Sequence, residues 1–117
     1  MSEASEKFPK ANRVLRRSGF RRAYDQGRKF QARHFTAFVL ANDEAQPKLG
    51  ITATRKSGNA VARNRARRLM REVFRKNKRL VPSGIDIIIN VKSSLSEAVY
   101  QDLESDFISF LERASKQ

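Results

Sequence analysis

The stretch GNAVARNRARRLMR, residues 58–71, has the spacing of an amphipathic helix. Its apolar side chains recur every three or four residues, as they do on a helix face that packs against a core. The predicted buried face carries Ala62, Ala66, Leu69, Met70 and Val73. The opposite face of the helical wheel carries Asn64, Arg67, Arg68, Arg71 and Arg75. The stretch therefore predicts a helix that docks on the fold and holds a row of cations in solvent.

This cationic face is dense enough to favour an anionic partner. Five arginines fall within residues 63–71, and Glu72 is the only acid between Arg55 and Arg79. Such a row repels itself unless a polyanion neutralises it, and a phosphate backbone is the obvious polyanion. The alternative is a solvated basic face without a ligand, which we consider the weaker interpretation.

The whole chain is strongly basic, but its charges are segregated. Its 117 residues hold 25 Lys and Arg against 12 Asp and Glu, a formal net charge of +13. Residues 7–34 hold ten bases and one acid, and residues 55–79 hold eleven bases and one acid. From Ser93 onward, the chain holds five acids and only two bases. This distribution predicts one charged surface for nucleic acid, with a neutral-to-acidic cover elsewhere.

The composition also bears on the compartment. The chain has no cysteine, which excludes disulfides and thiolate metal sites. It has no apolar run long enough for a membrane span, and its first ten residues lack the apolar stretch of a signal peptide. A cytoplasmic location is expected by elimination. Peripheral membrane binding is disfavoured because the apolar face of the basic helix has the spacing of a core.

The other elements predict a single α+β domain over residues 1–117, with residues 1–10 disordered. The predicted elements are a helix capped by Ser18 and ended by Gly27, strands at 28–31, 34–40 and 48–54, the basic helix to about Lys78, a strand at 85–91, and a last helix. Turns are predicted at 42–47 and around Pro82, and a basic loop at 55–59. The resulting order is α-β-β-β-α-β-α, a compact α-β sandwich of one sheet with helices.

The last helix has its own start signal and apolar stripe. Ser94 and Glu97 have the spacing of a capping box, which predicts that the helix opens there. Its predicted core positions are Val99, Leu103, Phe107, Phe110 and Leu111.

No group of residues in the sequence resembles a protein active site. His34 is the only histidine, and the acids are too scattered to place two carboxylates around a metal. There is no phosphate-binding loop and no dinucleotide fingerprint. The residues therefore indicate a binding protein.

Aromatic residues near arginines form the second informative set. Phe20 and Tyr24 lie one helical turn apart beside Arg21 and Arg22, and Phe38 lies on the less apolar face of its strand. Rings that stack on bases, next to guanidinium groups that hold phosphates, suit single-stranded nucleic acid. The alternative is that Phe20 and Tyr24 only attach the first helix to the sheet. The residues alone leave both interpretations open.

The segment KSGNAVARNRARRLMREVFR, Lys56 to Arg75, is similar to the signature helix of the bacterial ribonuclease P protein family. The hallmark of that family is an Arg-Asn-Arg triplet, here residues 63–65, after a Gly-Asn-Ala-Val lead-in. The resemblance extends to NRVLRRSGFRRAYDQG, the strand around Leu49–Ile51, IDIIIN and the final helix. Ala66 departs from the larger aliphatic residue of many relatives, which bears on packing and not on RNA contact.

The resemblance implies a particular fold. It is an α-β sandwich with one mainly antiparallel sheet, like the second domain of ribosomal protein S5. The basic helix would lie in a left-handed β-α-β crossover, although the general rule favours the right-handed form.

The resemblance also implies a function, as the RNA-binding subunit of a ribonucleoprotein endonuclease in tRNA processing. Its large RNA, with Mg²⁺ held mainly by that RNA, would hydrolyse a phosphodiester of precursor tRNA and release the 5′ leader. No metal on the protein and no protein partner are expected. The implied contacts to the catalytic RNA are Lys56, Arg63, Asn64, Arg65, Arg67, Arg68 and Arg71. The implied leader-binding cleft contains Phe20, Arg21, Tyr24 and Phe38.

Two other functions stay open at this point. A ribosomal or generic binder of structured RNA would use the same basic helix, but would not depend on a 5′ extension of tRNA. A protein-only nuclease would need a carboxylate cluster or catalytic histidine, which the sequence does not offer.

Overall fold

The computed structural model describes residues 17–42 and 47–115. The predicted disorder of residues 1–10 and most of the predicted 42–47 turn lie outside these residues. The helices are α1 (Arg17–Gln26), α2 (Ala60–Lys76) and α3 (Tyr100–Ser115). The strands are β1 (Arg28–Gln31), β2 (Phe35–Ala41), β3 (Lys48–Thr52) and β4 (Ile85–Val91). This is the predicted order α-β-β-β-α-β-α.

The four strands form one mixed sheet in the order β1-β2-β4-β3. β2 pairs antiparallel with both β1 and β4, whereas β3 pairs parallel with β4. A parallel pair needs a long crossover connection, and α2 supplies it between β3 and β4. The mainly antiparallel sheet and the β-α-β unit around the basic helix are thus confirmed.

The main core lies between the sheet and helices α2 and α3. Its largest fully buried side chains are Phe35, Leu49, Met70, Val73, Phe74, Ile87, Ile89, Leu95, Leu103, Phe107 and Phe110. Strand β4 is buried on both faces, because α1 covers Ile88 on the side opposite Ile87 and Ile89. The sheet is therefore sandwiched, with α1 on one face and the other two helices on the second.

The ends of α1 correct one prediction and confirm another. The helix already includes Ser18, so the predicted N-cap at that residue is wrong. Gly27 does end the helix, and its N–H donates to the Ala23 carbonyl at 2.9 Å. A Cβ on Gly27 would lie 2.4 Å from that same oxygen, which is why this close approach requires glycine.

The segment before α3 differs from the predicted capping box. Residues 93–97 form a 3₁₀ helix, and α3 begins only at Tyr100. Here Leu95 and Ala98, three residues apart, turn inward, whereas Val99 is 58% exposed and not part of the core. Ser94 bonds to His34 Nδ1 at 2.8 Å instead of capping a helix. The other four predicted core residues of α3 are buried.

Helix α2 is shorter than predicted at its C-terminal end. Asn59 caps its start, accepting the Ala62 N–H at 2.9 Å. Its end is set by Asn77, whose side-chain amide donates to the Val73 carbonyl at 2.9 Å and to Glu104 at 2.7 Å. These bonds replace the next helical turn and join α2 to α3.

Two strands differ slightly from their predicted bounds. β2 lies one residue later than predicted, and β3 ends at Thr52 instead of Thr54.

Gly50 allows α1 to sit close to the sheet, which gives a first prediction. A Cβ there would lie 2.7 Å from Phe20 Cζ and 2.9 Å from Ile88 Cδ1. We expect Gly50→Ala to lower the free energy of unfolding by about 1 kcal/mol, since added bulk forces neighbours from their positions. Urea unfolding measures this. The loss should shrink in a Phe20→Leu background, and an unchanged loss there would mean that Phe20 does not set the spacing.

Candidate nucleic-acid interface

The basic residues of α2 form a surface that we call the arginine ridge. Burial of Ala66, Met70 and Val73 fixes the rotation of the helix on the core. The opposite side then lines an open groove of about 480 Å³. The residues of the arginine ridge are Asn64, Arg67, Arg68, Arg71, Glu72 and Arg75.

The members of the arginine ridge differ in how they are held. Asn64, Arg68 and Arg71 are exposed. Arg67 is half-buried, and its guanidinium donates to the Asn64 side chain at 3.3 Å and to the Ala53 carbonyl at 3.4 Å. The helical wheel placed Arg67 among the solvent-facing residues, but the structure places it at the edge, where it reaches the end of β3.

Glu72 supplies the one negative charge of the ridge. Its carboxylate lies 2.6 Å from Arg75 and 3.5 Å from Lys76. The hydrogen bond from Arg75, with the charges of Arg75 and Lys76, holds the pKa of Glu72 below its usual value. The Glu72 carboxylate thus partly neutralises the C-terminal part of the ridge.

The three side chains of the Arg-Asn-Arg triplet, residues 63–65, lie on different sides of α2 and have different contacts. Successive residues are about 100° apart on a helix, so Arg63 and Arg65 lie on different sides with Asn64 between them. Arg65 Nε donates to the Ser96 carbonyl at 2.7 Å and so holds the 93–97 turn. Arg63 is half-buried, and its Nε atom is shielded from solvent without a hydrogen-bond partner in the part of the chain described.

The aromatic residues lie on the other face of the sheet, under and beside α1. Strand register sets two rows across β2, β4 and β3 on this face, namely Phe38–Ile88–Gly50 and Thr36–Asn90–Thr52. Phe20 packs on Gly50 of the first row. The Tyr24 ring meets Phe38 edge to face, with centroids 4.9 Å apart and planes at 87°. We call Phe20, Tyr24 and Phe38 the aromatic cluster.

The Tyr24 hydroxyl reaches the second row. It lies 3.0 Å from Thr52 Oγ1 and donates to Asn90 Oδ1 at 2.8 Å. The attachment of α1 to the sheet, one of the two interpretations from sequence, is therefore observed for Phe20 and Tyr24. Tyr24 nevertheless stays 38% exposed, so part of this side chain is accessible to a ligand and the stacking interpretation stays a prediction. Arg21 points outward from α1 with Arg17, Arg22 and Asp25.

A groove of about 520 Å³ lies at the end of β3 and β4, and it adjoins the aromatic cluster through Thr52 and Asn90, the two partners of the Tyr24 hydroxyl. We call it the strand-end groove, and its lining residues are Thr52, Thr54, Lys56, Ser57, Asn90, Val91, Lys92 and Ser93. It contains Lys56, which the sequence grouped with the arginine ridge. Lys92 also lines it, and the Lys92 ammonium donates to the Ala32 carbonyl at 2.7 Å. Sequence reasoning missed Thr52, Asn90 and Lys92, because only the β3–β4 register makes Thr52 and Asn90 neighbours, and Lys92 directly follows β4.

Over 17–42 and 47–115, no three His, Cys, Asp or Glu side chains gather as metal ligands would. In the same residues, no helix has the length and apolar character to cross a membrane.

A sheet with half-exposed aromatic rings, beside a lysine-containing groove and an arginine-rich helix, is typical of a protein that binds RNA.

Comparison with known proteins identifies the family. The family model described as Ribonuclease P matches residues 8–115. The Ribonuclease P protein component of Syntrophus aciditrophicus is 42% identical over 94 residues, covering 80% of this chain and 79% of the relative. That of Thermotoga maritima is 34% identical over 93 residues, covering 80% of each.

Solved structures of ribonuclease P proteins have the same fold as this chain. The ribonuclease P protein of Thermotoga maritima superposes with a TM-score of 0.78 at 30% identity, covering 86% of this chain and 96% of that one. The protein from Staphylococcus aureus gives a TM-score of 0.78 at 28% identity, covering 90% and 96%. The chain therefore belongs to the ribonuclease P protein family, as its basic helix predicted. It is accordingly a subunit of ribonuclease P, a ribonucleoprotein of tRNA processing.

Proposed function

We propose that this subunit binds the catalytic RNA through the arginine ridge and holds the 5′ leader of precursor tRNA along the aromatic cluster. The observation that carries this proposal is the separation of two surfaces of different chemistry. The arginine ridge lies on a helix packed on one face of the sheet, and the aromatic cluster lies on the other face. One small protein can thus contact two RNA segments at the same time.

The arginine ridge suits a folded RNA with closely spaced phosphates. Its exposed guanidinium groups lie along one side of a helix that is docked on the core, so they form a row. Guanidinium groups bind phosphate oxygens through paired hydrogen bonds. Neutralising the phosphates releases the counterions that had been condensed on the RNA, which favours binding. Arg63, Asn64, Arg65, Arg67, Arg68 and Arg71 are the proposed contacts, with Arg65 also supporting the 93–97 turn.

The aromatic cluster and the strand-end groove suit a single strand. The exposed part of Tyr24 offers a face for base stacking, and Arg21 on the same helix can reach a phosphate. Lys56 lines the adjoining groove and lies in the short 3₁₀ turn, residues 55–57, that precedes α2 in the chain. We therefore assign Lys56 to the place where leader and catalytic RNA meet.

In this proposal the RNA carries out the hydrolysis, with Mg²⁺ bound mainly by RNA, in the cytoplasm and without a further protein. The protein contributes binding and screening of phosphate repulsion. This division predicts that the purified, RNA-free protein leaves precursor tRNA uncut. The catalytic RNA alone should cleave at elevated Mg²⁺, where cations replace the screening. Specific 5′ maturation by protein freed of RNA would contradict the proposal.

The leader assignment is tested with the reconstituted holoenzyme. We expect precursor tRNA with a leader of several nucleotides to bind more tightly than mature tRNA, and this difference to disappear for the catalytic RNA alone. Equal affinity for both ligands in the holoenzyme would instead favour a generic binder of structured RNA.

A further inference from the structure

We infer that Thr52 and Asn90 are positioning residues that fix the Tyr24 ring for stacking on a leader base. The inference rests on the proposed leader-binding function and extends it to two residues that lie on the sheet and not on α1. It follows from the hydrogen bonds of the Tyr24 hydroxyl and from the register of the strands beneath it.

The hydrogen-bond directions are determined by chemistry. Asn90 Oδ1 can only accept, so the Tyr24 hydroxyl donates its single hydrogen there, at 2.8 Å. The contact between the Tyr24 hydroxyl and Thr52 Oγ1, at 3.0 Å, must then have Thr52 as the donor. The Tyr24 hydroxyl is thus used both as donor and as acceptor, and its position is fixed from two sides.

The strand pairing makes this arrangement possible. Thr52 and Asn90 are direct partners in the parallel β3–β4 pair, so their side chains stand side by side on the α1 face. Neighbouring strands are about 4.8 Å apart, a spacing that one hydroxyl can bridge. The edge-to-face contact with Phe38 holds the ring from a third direction.

A half-exposed ring needs such restraint to bind well. Ring burial alone is incomplete here, since 38% of Tyr24 is accessible. A side chain that is free before binding must be ordered during binding, and the entropy lost in this ordering weakens the affinity. Fixing Tyr24 in advance removes that cost, so loss of either hydrogen bond should weaken leader binding without removing the ring.

The test uses the reconstituted holoenzyme, precursor and mature tRNA, and 2-aminopurine placed at successive leader positions. Thr52→Val and Asn90→Leu should each weaken precursor binding by roughly three- to tenfold, the range that this ordering cost implies. They should also reduce the quenching of 2-aminopurine that reports ring stacking. Thr52→Ser, which keeps the hydroxyl, and Asn90→Asp, which keeps the acceptor, should retain the quenching at saturation. Mature tRNA should bind as before.

A double-mutant cycle with Tyr24→Phe separates positioning from direct contact, because both residues also line the strand-end groove. If Asn90 acts through the hydroxyl, Asn90→Leu should have little further effect in the Tyr24→Phe background. An undiminished effect there would overturn the inference and make Asn90 a direct RNA contact. Full quenching in Thr52→Val and Asn90→Leu would also overturn it. A wild-type holoenzyme without leader preference would overturn the proposed function itself.

Discussion

Replacing Arg68 and Arg71 with alanine is expected to weaken binding of the catalytic RNA more than any other pair of exposed substitutions. Both side chains are exposed on the arginine ridge, three residues apart on one helix face. Each guanidinium–phosphate or guanidinium–base contact is worth about 1–3 kcal/mol. Neither side chain packs in the core, so the fold should be retained, which circular dichroism checks.

A salt titration identifies the kind of contact that is lost. If both arginines bind phosphate, the slope of log affinity against log salt should become shallower by about one unit for each substitution. Arg79→Ala is the matched control, since it removes one exposed cation from the turn after α2 and leaves the ridge intact. Unchanged affinity in the double variant would show that the ridge is a solvated face. Equal losses for Arg79→Ala would indicate a nonspecific charge effect.

Arg68 tests RNA binding by the ridge better than Arg67 does, because Arg68 is exposed whereas Arg67 is half-buried and donates to the Ala53 carbonyl. Helical spacing correctly predicted which side of α2 is buried, because burial repeats with the period of the helix. It could not predict that Arg67 reaches across to the Ala53 carbonyl, since that contact depends on where β3 ends. It also missed Phe74, which is fully buried near the end of the same helix.

The strands and helices were predictable where local pattern and burial agree. The Ile85–Val91 strand was predicted at both ends because it is buried on both faces and bounded by turn residues. The start of α3 was not, since a capping-box pattern at Ser94 competes with burial of Leu95 and Ala98 in a 3₁₀ turn. Burial of Leu95 and Ala98 in the core, which is a tertiary contact, therefore determines where α3 begins.

The candidate site shows the same limit. The aromatic cluster was predicted from its residue types, and the structure places Tyr24 against Phe38. The strand-end groove was not, because Thr52 and Asn90 are far apart in sequence and only the parallel register makes them neighbours. A threonine and an asparagine within strands carry no recognisable signal by themselves.

Replacing Tyr24 with leucine is expected to weaken binding of precursor tRNA that carries a leader of several nucleotides. Leucine keeps apolar bulk over the sheet but removes the flat ring and both of its hydroxyl contacts. Stacking of a base on an aromatic side chain is worth about 1–3 kcal/mol by alanine substitution, so a loss in that range is expected. Phe20→Leu should act in the same direction, because its half-buried ring borders the same face.

Comparison of two ligands separates this effect from damage to the fold. Assembly with the catalytic RNA and binding of mature tRNA, which has no leader, should hardly change in either variant. Phe35→Leu is the matched control, since Phe35 is fully buried against Phe110 on the opposite face of the sheet. That variant should lose stability and affect both ligands alike. Equal losses on both ligands for Tyr24→Leu would point to a damaged scaffold. No loss on either would leave Tyr24 with only its role in attaching α1 to the sheet.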